Sequence, residues 1–246
     1  MTASFFRSVE AAHRYDRFRP QVHAVFLDWL SAAGLSGQYQ HAIDIACGTG
    51  HSTIPLSRLA DVVDAIDVSP EMVSVARSKG LPARVAAYST LPARTYDLVN
   101  VCMAFHWFDR PEAVSCLHAA SLPGAVWIVS NFALIGHASD AKFNDWYSNW
   151  YRTRFPAPAR SSPGFRVAED ESFLVSLAES SGTLKVPFER QQLIGYLTTQ
   201  SNVEAALRPG FGYLEVERDL DDYLPHVAEP DDYLYAYQYT ICRTRA

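Results

Sequence analysis

Asp44-Ile45-Ala46-Cys47-Gly48-Thr49-Gly50-His51 is the stretch that decides the fold. The apolar run Ala42 to Ala46 has the length of a buried strand, Cys47 to Gly50 reads as a turn, and His51 to Leu59 can run on as a helix. Glycines at a strand-to-helix turn let backbone N–H groups approach a ligand at a helix N-terminus. A ligand-binding strand-turn-helix is therefore expected here.

Around it, short apolar runs alternate with helical segments, the signature of βαβ units and a parallel sheet. Strand two is expected over Val62 to Val68. Ser69-Pro70-Glu71 then gives an N-cap, a proline at the first helical position and an acid in the first turn of a helix reaching about Ser78. Arg84 to Ala87 is strand three, Tyr96 to Cys102 strand four, Pro111 to Ala120 a helix, and Ala125 to Asn131 strand five, entered through Pro123-Gly124. Residues 1–34 read as helical, with Pro20 breaking the run. Phe143, Trp146, Tyr147, Trp150 and Tyr151 share one helical face, which serves either core packing or the wall of a pocket, and a Pro-rich turn follows at Pro156, Pro158 and Pro163. Leu184 to Phe188 and Tyr233 to Arg243 read as late strands. The expected architecture is a single α/β domain over 1–246: a helical N-terminal lid (1–34), a core (35–131), a helical insertion after strand five (132–183) and C-terminal strands (184–246). Its sheet is a doubly wound, mostly parallel, seven-stranded one.

Composition bounds the function. The chain has 246 residues, 48% hydrophobic and 20% charged, which excludes disordered and collagen-like classes. Lys plus Arg is 21 against Asp plus Glu 27, a net charge of −6, and no basic block offers a nucleic-acid footprint. Apolar runs such as Ala125 to Val129 are far short of the roughly 20 residues that cross a bilayer. The opening Met-Thr-Ala-Ser-Phe-Phe-Arg lacks the apolar core of a signal peptide, and four scattered cysteines read as reduced thiols, so a cytoplasmic location is expected. No histidine or cysteine spacing suggests a metal site. Asp219-Leu220-Asp221-Asp222 lacks the glycine and closing glutamate of a calcium loop and reads as solvated surface.

A dinucleotide fingerprint, G-x-G-x-x-G or A, would put Thr53 in its last position, a poor match. A smaller nucleoside fits better. Asp67 ends strand two, 23 residues after Asp44, where a carboxylate can take both ribose hydroxyls. Asp44 would repel a pyrophosphate but suits a ligand with an amino group or a positive charge. S-adenosylmethionine carries both.

Through residues 44–50, Ala-Ile-Asp-Val-Ser-Pro-Glu-Met (65–72), Tyr-Asp-Leu-Val (96–99) and Leu-Pro-Gly-Ala (122–125), the chain resembles the class I S-adenosylmethionine-dependent methyltransferases. Through Tyr-Asp-Arg-Phe-Arg-Pro (15–20), Ala-Phe-His-Trp-Phe-Asp (104–109) and Thr-Gln-Ser-Asn-Val (199–203) it is similar to the small-molecule, trans-aconitate methyltransferase-like (type 11) branch. The resemblance implies a Rossmann-like fold. It also implies that Asp44, Ala46 and the Gly48, Thr49, Gly50 turn hold the methionine part of S-adenosylmethionine, and that Asp67 takes the ribose. Val68 and Met72 would flank the adenine, and Ala87, Tyr88 and Ser89 would edge it. Ala104 would back the cofactor, while Tyr15 and Arg19 close over it, Arg19 towards its carboxylate. Ala46 stands for the family's first glycine, and Tyr88-Ser89 stand where an acid is usual.

His106 and Trp107 follow strand four, where open α/β sheets present their crevice. His106 is a candidate base or a packing residue, and Trp107, Trp146 and Trp150 are candidate acceptor contacts. Arg14, Arg17, Arg152 and Arg154 are candidates for a substrate carboxylate. The expected activity is methyl transfer to an oxygen or nitrogen of a small-molecule acceptor, leaving S-adenosylhomocysteine, by a monomer or homodimer without nucleic-acid or membrane partners. A cyclase or regulatory binding protein that no longer methylates, and a nicotinamide-dependent oxidoreductase, stay open.

Overall fold

Buried residues Ala42, Ile43, Asp44 and Ile45 follow one another along β1 (Tyr39–Ile45), as expected of a central parallel strand covered on both faces. The computed structural model describes residues 5–161, 164–225 and 230–245. Pro163 and the first four residues of the opening heptapeptide lie outside the described residues. The remaining strands are β2 (Ala60–Asp67), β3 (Ala83–Val85), β4 (Tyr96–Cys102), β5 (Ser121–His137), β6 (Leu174–Phe188) and β7 (Asp231–Thr244). They form one seven-stranded sheet in the order β3-β2-β1-β4-β5-β7-β6. β1 pairs in parallel with β2 and β4, and β3 and β5 extend the parallel set. The order reverses between β1 and β4, and such a switch point opens a crevice outside the carboxyl ends of the strands.

The helices are α1 (Val9–Phe18), α2 (Val25–Ala32), α3 (Thr53–Leu56), α4 (Pro70–Ser78), α5 (Arg110–Ala120), α6 (Ala141–Asp145), α7 (Arg152–Arg154), α8 (Arg190–Thr198), α9 (Ser201–Ala206) and α10 (Tyr213–Tyr223). A π-helical turn, Trp146–Tyr151, joins α6 to α7. The cap expected at Ser69 is present, its hydroxyl accepting from the Met72 N–H with Pro70 in the first turn.

Several boundaries differ from expectation. The helix after the glycine turn is one turn long rather than running from His51 to Leu59, because β2 already begins at Ala60 and the Leu59 carbonyl accepts from the Tyr39 N–H. Only residues 141–154 of the expected insertion are helical, and β6 begins inside it at Leu174. The C-terminal segment, expected as strands, carries α8, α9 and α10 between β6 and β7. Asp221 and Asp222 are exposed, as expected of solvated surface, while Asp219 is half-buried; Asp219 and Asp221 lie on α10 and pair with Arg154 (2.6 Å) and Arg190 (3.0 Å).

The chain divides into two compact units. The first comprises Met1–Pro20, Phe132–Ala159 and Gly182–Tyr237. Its interior is aromatic: Phe143 stacks on Tyr147 (5.8 Å), Tyr147 on Tyr151 (5.3 Å), and Phe188 meets Tyr196 (5.2 Å). The second comprises Gln21–Asn131, Arg160–Ser181 and Gln238–Ala246. Its core gathers Ile43, Tyr96, Val99, Val101, Leu117 and Trp127. Among the described residues no helix is long and apolar enough to cross a membrane.

Candidate functional site

The glycine turn leaves β1 through a series of left-handed residues in the second unit. Ala46 (φ 54°), Gly48 (φ 55°) and Gly50 (φ 89°) all have positive φ. The turn closes with Gly50 N–H donating to the Cys47 carbonyl (2.8 Å), and Cys47 N–H ties it to the end of β2 at Ile66 (2.9 Å). A Cβ on Gly48 would meet nothing within 4 Å, so the backbone there faces open space. At Gly50 a Cβ would fall 2.1 Å from Leu81 Cδ1. Ala46, left-handed with a side chain, carries strain of about 1 kcal/mol.

Asp67 closes the cradle. Its two oxygens accept the Gly48 N–H (2.9 Å) and the Ser69 N–H (2.8 Å). The Val68 N–H is a third backbone donor to it, and a carboxylate has about four acceptor positions, so capacity remains for a ligand's hydroxyl. Burial raises its pKa, while these backbone donors act the other way. The Thr49 hydroxyl is buried without a partner among the described residues. An open backbone, spare carboxylate acceptors and an orphaned hydroxyl fit the nucleoside and amino-acid parts of S-adenosylmethionine.

Asp44 lies beneath the turn and is fully buried. Asn100 Nδ2 (2.8 Å), Ser52 Oγ (2.8 Å) and Thr53 Oγ1 (2.6 Å) all donate to it. In this arrangement the carboxylate braces the turn and has no surface left for a ligand. Ser52 and Asn100 are not singled out by the sequence, and Thr53 only as the last position of a dinucleotide fingerprint; hydroxyls eight and nine residues past a buried acid are the available signal. Burial pushes the Asp44 pKa up to about 6 against the pull of its three donors. Because the folded state holds this proton more tightly than the unfolded one, the stability this group contributes is full below about pH 4 and is lost as pH rises through 6. Two units correspond to about 2–3 kcal/mol. In urea unfolding, the wild type is expected to lose stability over that interval relative to Asp44→Asn. Equal slopes for the two proteins would refute it.

Val68 and Met72 differ sharply in exposure. Val68 is 61% exposed beside Asp67, whereas Met72 is 3% exposed under the first turn of α4. Ala87, Tyr88 and Ser89 follow β3, where Tyr88 packs on Phe108 (4.9 Å) and its hydroxyl donates to Glu112 (2.8 Å). Ala104 is buried in the core after β4. His106 is buried beside Trp107 (4.7 Å), and its carbonyl accepts the Ser161 N–H. Burial, and then the Arg160 cation, lower its pKa to about 4. The imidazole is neutral at pH 7 and a weak base. A cavity of about 30 Å³ beyond the end of β4, beside the middle of β5, is lined by His106, Ser130 and Gln238, and the Ser130 hydroxyl is another orphan.

The other candidates belong to the first unit. Arg19 is buried, its guanidinium 4.6 Å over the Tyr15 ring and donating to the Thr199 carbonyl (2.6 Å), with Nε unpartnered. That chemistry suits a carboxylate. Trp146 stacks on Trp150 (5.5 Å), and Trp150 on Tyr223 (4.8 Å). Of the arginines considered for a substrate carboxylate, Arg14 is taken by Glu217 and Thr198, and Arg154 by Asp219. Arg17 and Arg152 lie over the rings of Phe18 and Tyr147. Among the described residues no group of three or more His, Cys, Asp or Glu could hold a metal ion.

Comparison with known proteins agrees with this geometry. Residues 42–122 match the model of a methyltransferase domain. A Mycobacterium tuberculosis protein known only as an uncharacterized methyltransferase is 36% identical over 137 residues, covering 52% of this chain and 53% of that protein. Trans-aconitate 2-methyltransferase of Mycobacterium marinum is 31% identical over 120 residues, 46% of this chain and 45% of that protein. The chain thus matches about half the length of these relatives. A candidate type II methyltransferase from Anaeromyxobacter dehalogenans shares the fold at a TM-score of 0.64 and 21% identity, over 93% of this chain and 98% of that one.

Proposed function

We propose that residues 42–122, which match a methyltransferase domain, are of the class I S-adenosylmethionine-dependent type and that the chain methylates an oxygen or nitrogen of a small-molecule metabolite. The observation that carries the reading is the open backbone at Gly48 facing an Asp67 carboxylate with acceptor capacity to spare. When bound, S-adenosylmethionine supplies an activated methyl sulfonium. Asp67 accepts the ribose hydroxyls, the Gly48 to Gly50 turn holds the methionine part, Val68 and Met72 flank the adenine, and Ala87 to Ser89 line its edge. His106 and Trp107 face the acceptor. With a pKa near 4, His106 contributes orientation more than proton removal, so the rate rests on alignment of the acceptor. In the first unit, Arg19 with Tyr15 is assigned to a carboxylate, and the Trp146 and Trp150 stack to a planar group.

Calorimetric titration tests this. S-adenosylmethionine and S-adenosylhomocysteine are expected to bind with Kd of about 1 μM, roughly −8 kcal/mol, and NAD and NADP to give no heat. Methyl label should then pass to a component of a metabolite pool at a rate with no inflection from His106 between about pH 6 and 8, because burial holds its pKa near 4. Heat from a nicotinamide cofactor alone would overturn the reading of the turn. Adenosyl binding without label transfer would leave a cofactor-binding protein that does not methylate.

A further inference from the structure

The second unit holds another cavity, at the end of the sheet where β5 begins, opposite to the carboxyl ends of β1 and β4 that carry the glycine turn. Its volume, about 450 Å³, lies within the range of small-molecule sites. Arg94, Arg245 and His118 line it with Phe173, Leu122 and Ser121. Among the described residues no Asp or Glu contributes to the lining, although the chain as a whole is acidic by six charges. Glu171, the nearest acid along the chain, is already taken by Arg110 (2.8 Å) and by the Ala168 N–H.

Cations here could merely serve the C-terminus of α5, but that end is already satisfied. The Leu117 carbonyl accepts from Ser121 Oγ (2.7 Å), His118 from the Ser121 N–H, Ala119 from the Arg94 N–H (2.9 Å) and Ala120 from the Thr95 N–H (2.8 Å). The backbone of Arg94 does this capping in a left-handed conformation (φ 47°), a strained state for a residue with a side chain. Its guanidinium and that of Arg245 are exposed and make no ion pair or hydrogen bond with another described residue. His118 stacks face to face on Phe173 at 4.0 Å, giving the cavity a flat wall.

We propose that this cavity binds a small organic anion, its phosphate or carboxylate held by Arg94 and Arg245 and its body lying against the His118–Phe173 stack. Guanidinium groups bind both kinds of oxyanion bidentately, so the two sources share one chemistry. The site is independent of the cofactor reading.

Calorimetry with the full chain separates the cases, using inorganic pyrophosphate as the phosphate probe and benzoate as the planar carboxylate. One of them is expected to bind with Kd of about 0.1 mM. Preference for pyrophosphate assigns a phosphate ligand, and preference for benzoate a carboxylate. Arg94→Ala and Arg245→Ala should each weaken binding about tenfold, and both should unfold at the wild-type temperature because their side chains are exposed. Asp67→Ala should bind the probe as the wild type does, which keeps this result distinct from failure at the cofactor cradle. No heat with either probe, or equal binding by the double arginine variant, would overturn the proposal.

Discussion

Asp67→Ala is expected to weaken S-adenosylhomocysteine binding by about 100-fold, or about 2.7 kcal/mol. The variant removes the acceptors offered to the ribose hydroxyls and also the anchors of the Gly48 and Ser69 N–H groups. Hydrogen bonds to a charged acceptor are each worth about 1.5–3 kcal/mol, so losing two accounts for the effect. Asp67→Asn separates the two roles: its single amide oxygen can hold one N–H but not both while also meeting a ribose. It should fall between the wild type and Asp67→Ala in affinity. Thermal unfolding, measured alongside, shows whether the turn has collapsed. Affinity within threefold of the wild type for Asp67→Ala would remove the carboxylate from the cofactor site.

Gly50→Ala is expected to cost about 3 kcal/mol of stability, the sum of left-handed strain and overpacking. At φ 89° an alanine is strained, and its Cβ would overlap Leu81 Cδ1. Leu81 cannot swing away freely, because it packs on the small core of Cys47, Ala65, Val73, Ala76 and Ala83. Gly48→Ala supplies the contrast. Its Cβ enters open space, so stability should drop by only about 1 kcal/mol, while cofactor affinity drops because that space is the proposed ligand position. Denaturant unfolding of both variants decides the matter, and a Gly50→Ala midpoint matching the wild type would sink the argument.

The parts of the fold that could be read from sequence are those whose signals are local. Tyr96 to Cys102 is a strand at the expected bounds, since a short apolar run flanked by polar residues admits few alternatives. Ser69-Pro70 caps α4 because hydroxyl, proline and acid act within one turn. α8 escaped notice for the opposite reason: Leu193 to Thr198 are buried without interruption, so no polar face marks a 3.6-residue period. α10 carried a legible stripe at Tyr213, Val216 and Leu220, with its acids on the outer side. At the site, the spacing of Gly48, Gly50 and Asp67 was visible. The bracing of Asp44 by Asn100 was not, because it depends on two strands meeting in register.

That last contact also sets an order of assembly. The Gly48 to Asp67 bond closes a loop of 19 residues, and the Asn100 to Asp44 bond one of 56. Chain entropy makes the longer closure costlier by about 1 kcal/mol. The ribose end of the cradle can therefore form from one βαβ segment alone, early and reversibly. The floor beneath it requires β4, the more distant of the two closures in sequence.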